Sequence, residues 1–184
     1  DLRGNGAAAE ARTPGIAPDS LGSYARPSVK WIEGDYLTIR PSFSTPGAIY
    51  AYRTKIVWDG EKSHLVFRES ERLDAAYTQE GDVSVPHQSG FVYLVTNKLG
   101  QYRLVILSKP TIAGEMFGIL STLQSGKGPQ LLPVATPIVF VPVKGEANDQ
   151  PIGKIEPNSP HHAKCAALVR RTLMDPARYW RPYG

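Results

Sequence analysis

The chemistry this chain could do is written on two neighbouring strand-like stretches. Arg40 and Ser42 share one face of the first stretch with Tyr36, and Arg53 follows Tyr52 on the second. Guanidinium groups pair bidentately with carboxylates. Arginine facing into a cavity beside tyrosine and serine therefore makes an anion- or carboxylate-binding pocket. The candidate ligand-binding set is Tyr36, Arg40, Ser42, Tyr52, Arg53 and Tyr93. Alternation also allows the opposite arrangement, with Arg40 and Arg53 outward and solvated. One face of these strands is expected to be core and the other surface.

The remaining reactive residues give weaker patterns. Adjacent helical residues point about 100° apart, so His161 and His162 do not chelate one metal, and no metal or cofactor is expected. Cys165 lies on an apolar helical stripe, where a free cysteine packs as a small hydrophobe. His161 stands one turn before it, which allows a thiol–imidazole pair to be drawn. Gly126-Lys127-Gly128 lacks the spacing and the following helix of a phosphate-binding loop. His64 and His87 are the residues an enzyme would use as a base, but no catalytic motif surrounds either, and a non-enzyme is expected.

Short strands position these residues. Tyr50, Tyr52, Thr54, Ile56 and Trp58 alternate with Ala51, Arg53, Lys55 and Val57, the period-two mark of a strand. Similar runs cover 29–43, 64–69, 82–85, 91–96, 102–108, 116–123 and 135–143. Thr45-Pro46-Gly47 and Asp59-Gly60 turn the chain between strands. A helix follows, with Asn158 or Ser159 as cap, Pro160 at its first position and Asp175-Pro176 at its end. Cys165, Leu168, Val169, Thr172 and Leu173 form its apolar stripe. About eight antiparallel strands at meander spacing, closed or flanked by a C-terminal helix, predict a mainly β, up-and-down, barrel-like fold. Eight strands enclose room for one small ligand or for the barrel's own side chains.

Composition sets the boundaries. Residues 1–27, rich in Ala, Gly and Pro, read as a flexible linker. The barrel-like domain covers 28–145, and 146–184 hold a polar loop, the helix and an aromatic, basic tail. The chain opens on Asp1 and reads as a fragment of a longer protein. Of the net charge of +4, all resides beyond residue 163; the preceding part holds 16 basic and 16 acidic residues. That balance argues against nucleic-acid binding by this chain alone. No apolar run reaches the roughly 18 residues of a membrane span. The single cysteine excludes an intrachain disulfide and fits a cytoplasmic setting. The helix and the tail with Tyr179, Trp180 and Tyr183 offer a surface for a homo-oligomer.

The stretch from Ile32 to Val143 resembles the C-terminal β-rich regulatory domain of bacterial helix-turn-helix regulators of the Cro/CI type. The resemblance rests on Gly34-Asp35-Tyr36, Arg40-Pro41-Ser42-Phe43-Ser44 before a Pro-Gly turn, the strand from Ile49 to Trp58, Phe117-Gly118-Ile119-Leu120, and the run from Pro133 to Val143. It implies a sensory or regulatory module beside a DNA-binding head. Gly34-Asp35-Tyr36 and the terminal helix also resemble the layout of calycin-type barrels, with Tyr in the place of Trp. A structural barrel with a filled core is the alternative.

Overall fold

The computed structural model describes residues 14–72, 78–98, 101–125, 130–145 and 150–174. Eight strands follow one another: β1 (Gly34–Pro41), β2 (Ile49–Asp59), β3 (His64–Ser70), β4 (Glu80–Ser84), β5 (Phe91–Lys98), β6 (Gln101–Ser108), β7 (Met116–Ser125) and β8 (Leu131–Pro142). Each pairs antiparallel with the next, and β8 returns to β1, so the sheet closes into an up-and-down barrel. Closure removes the free edges that an open sheet would leave.

The interior has an apolar half. Leu65 and Phe67 of β3, Leu94 of β5, Leu107 of β6, and Ile138 and Phe140 of β8 fill it. Two glycines let the wall curve tightly over this core. A Cβ at Gly118 would lie 1.8 Å from the Ile106 carbonyl oxygen, and one at Gly81 would lie 2.1 Å from that of Val95.

The residues expected to form a linker divide in two. Residues 1–13 lie outside the described part. Residues 14–27 do not behave as a linker: Ala17 and Tyr24 are buried, and the single-turn helix α1 (Arg26–Val29) follows. Val29 and Ile32 then join the core, so the first strand starts at Gly34 rather than Val29. Tyr24 closes this end of the barrel. Its hydroxyl accepts from the Leu65 N–H at 3.0 Å and donates to the Val83 carbonyl at 2.5 Å. Burial pushes the phenol up to about 12. The segment is held by isolated side chains inserted into the barrel, which is why no hydrophobic period announces it.

A second apolar layer lies outside the barrel. Helix α2 (His162–Met174) lays Cys165 and Val169 on Leu37, Ile39, Phe117 and Val139. Within the expected polar loop after residue 145, a short strand β9 (Gly153–Ile155) pairs with Ile49–Ala51 of β2. Consequently β1 and the start of β2 are buried on both faces, not on one. Leu173, expected on the apolar stripe, is 41% exposed. Arg171 bridges to Glu115 at 2.9 Å and lies over the Phe117 ring. The aromatic tail lies outside the described residues. Among the described residues, no helix is long and apolar enough to cross a membrane.

Candidate functional site

Three inward positions of β1 face three of β2. The register sets Tyr36 opposite Thr54, Thr38 opposite Tyr52 and Arg40 opposite Tyr50. Since Tyr36 packs on Phe140 in the apolar core, the same face of β1 carries Arg40 about 13 Å further along the strand. There the interior becomes polar. Arg40, Thr38, Tyr52, Thr54, Glu69 and Arg103 are all buried. This cluster of buried polar side chains, termed the chamber, lies at the end of the barrel opposite Tyr24.

Glu69 is its hub. Its carboxylate accepts from Arg103 Nη2 at 2.7 Å and from Arg72 Nη1 at 2.6 Å. Arg103 Nη2 also donates to the Tyr52 hydroxyl at 3.1 Å. The Arg72 guanidinium lies 4.7 Å from the centre of the Tyr52 ring. Burial raises the Tyr52 phenol above its ordinary value, and the neighbouring Glu69 charge adds to this. Thr38 and Thr54 share a hydroxyl–hydroxyl bond of 2.7 Å beneath.

Arg40 occupies the outer part of the chamber. Its guanidinium sits 4.2 Å from the Phe43 ring centre and 4.9 Å from that of Tyr50. Nη1 donates to the Pro41 carbonyl at 2.9 Å. Two aromatic faces thus hold a planar cation in one orientation, a contact worth about 0.5–2 kcal/mol per ring depending on desolvation.

The structure brings Arg40 and Tyr52 of the candidate set into this chamber and places the other four elsewhere. Tyr36 is at the apolar end, where its hydroxyl donates to the Ile32 carbonyl and burial pushes it up to about 12. Arg53 is on the outer face of β2, opposite Leu37, and reaches Glu71 at 3.3 Å and Gln150 at 3.1 Å. Tyr93 points outward between the inward Val92 and Leu94. Ser42 accepts from the Thr45 N–H in the β1–β2 turn. Glu69, Arg72 and Arg103 were not in that set. The signal for two of them was present: Glu69 continues the inward row Leu65 and Phe67, and Arg103 begins the inward row Val105 and Leu107.

The other reactive residues are occupied structurally. His64 Nε2 meets Asp82 at 2.8 Å, and Nδ1 meets the Lys62 carbonyl at 3.0 Å. Cys165 is buried under α2, and that burial raises its thiol. His87 borders a half-open groove of about 150 Å³ at the Tyr24 end, with Trp31, Phe91 and Lys109. Among the described residues, no cluster of three or more His, Cys, Asp or Glu side chains could hold a metal ion.

No family model matches this chain, and no curated protein and no solved structure matches it significantly. A functional reading therefore starts from the chamber.

Proposed function

We propose that the domain is a non-catalytic module that binds a small organic anion at the polar end of its barrel. The observation that carries this reading is Arg40, held between Phe43 and Tyr50 in a chamber it shares with Arg72 and Arg103. Guanidinium groups stay positively charged and pair bidentately with carboxylates and phosphates, so such a site selects these anions over neutral isosteres. The resemblance to Cro/CI-type regulators supports a sensory role within a bacterial transcriptional regulator. The single, buried cysteine supports a cytoplasmic setting.

A thermal-shift panel tests the reading, using small carboxylic acids beside their neutral amides. The acids are expected to raise the melting temperature and the amides to leave it unchanged. Acids and amides that behave alike would overturn it.

A second reading, a structural barrel, draws on Glu69, whose two arginine partners come from the chain itself. On that reading the ion pairs complete a filled core. Self-association would then use the end of α2, where Met174 is 84% exposed. Light scattering on the full chain and on a chain ending before Pro176 separates the two, because only the structural reading requires the tail for a dimer.

A further inference from the structure

The β7–β8 hairpin is longer than the wall it belongs to. Its ladder runs from Met116 opposite Phe140 to Ser125 opposite Leu131. The neighbouring strands leave it early. β6 pairs with β7 only as far as Ser121, and β1 pairs with β8 only from Val139 onward. Residues 122–125 and 131–134 therefore form a two-stranded arm that neither neighbour's ladder holds, and residues 135–138 join it to the wall through β7 alone.

The seam between β1 and β8 opens for a chemical reason. The Val143 N–H bonds to the Asp35 carbonyl at 2.8 Å, which makes the odd-numbered positions of β1 the hydrogen-bonded ones in this pairing. Leu37 faces Val141 and Ile39 faces Val139. The next such pair in this register is Pro41 with Pro137, and neither has an N–H to give. The ladder stops there, directly beside Arg40.

The arm's inward face then leans over the chamber. Leu120 and Thr136 are buried, and the same face continues through Thr122 opposite Val134 and Gln124 opposite Leu132. Gln124 Nε2 donates to the Phe43 carbonyl at 3.3 Å, and the Phe43 ring covers Arg40. Leu132 on this face is 53% exposed.

We propose that this arm is the gate of the chamber. It swings away from β1 along the Pro41–Pro137 seam, the Gln124–Phe43 bond is its latch, and the ligand enters sideways next to Arg40. The gating role rests on the reading of the chamber as an anion site, whereas the motion of the arm can be measured without any ligand.

The test uses the full chain with Cys165→Ala, and spin labels on Ser44→Cys and Leu131→Cys, both exposed positions. Pulsed electron resonance reads the distance between the β1–β2 turn and the arm. Gln124→Ala is expected to shift the open-to-closed ratio about two- to tenfold toward longer distances, the worth of one such hydrogen bond. Pro41→Val with Pro137→Val restores both donors, and is expected to narrow the distribution and slow benzoate binding. If Gln124→Ala leaves the distances unchanged, or benzoate binds at the same rate to the double variant, the gate is overturned while the anion site stands. If benzoate binds to none of these proteins, the anion site and the gate both fall.

Discussion

Glu69 reaches Arg103 at 2.7 Å inside the barrel, and both side chains are at least nine-tenths buried. Neither is solvated by bulk water, so each compensates the other's desolvation. Removing one partner of such a pair leaves a buried charge uncompensated, at a cost of about 3–5 kcal/mol. Glu69→Gln takes the shared carboxylate from both Arg72 and Arg103 and is expected to lose stability of that order in urea unfolding, whereas Arg103→Gln leaves Glu69 paired with Arg72 and should lose less. The double variant should lose less than the sum, because it strands no charge on this bond. Strict additivity would mean that the two groups do not act as a pair.

The phenols of Tyr24 and Tyr36 are both pushed up to about 12 by burial, from an ordinary value near 10. A raised folded value adds stability that is complete below the unfolded value and is lost as pH rises through the folded one. The domain should lose stability between about pH 10 and 12. Absorbance at 295 nm should show these two phenols ionising late, with the late phase reduced in Tyr24→Phe and in Tyr36→Phe. An unchanged late phase in both variants would contradict this.

Gly118 backs directly onto the Ile106 carbonyl. Gly118→Ala forces the β6–β7 wall apart and is expected to destabilise by about 3 kcal/mol. Gly60 has nothing within 4 Å of a Cβ position, so Gly60→Ala should fall within about 0.5 kcal/mol of the parent. Thermal melts of the two variants make the comparison, and equal melting temperatures would contradict it.

Cys165 is buried between α2 and the barrel, which raises its thiol. A thiolate-requiring reagent such as Ellman's reagent should label it only as fast as α2 lifts. Labelling at the rate of a free thiol peptide would place the helix off the barrel.

The strands were legible because their alternation is local: the row from Tyr50 to Trp58 shows which side chains share a face. Which face points inward is not local information. It depends on closure by β8, and on α2 and β9 covering the outside of β1 and β2, so Arg53 was grouped with Arg40 although the register sets them on opposite faces. Glu69 and Arg103 were visible as charged continuations of apolar rows, yet only closure brings them within bonding distance. Tyr24 was hidden in a Pro- and Gly-rich segment because it inserts singly, and a lone side chain has no period.

Anion binding at Arg40 can be read directly by titrating the full chain with benzoate and following the arginine Nε–Hε signals in a ¹⁵N NMR spectrum. The Arg40 signal is expected to move saturably, with Arg103 and Arg72 following, and Arg53 on the outer face should stay still. A spectrum in which Arg40, Arg72 and Arg103 do not move, or in which Arg53 moves as they do, would contradict an anion site at the polar end of the barrel.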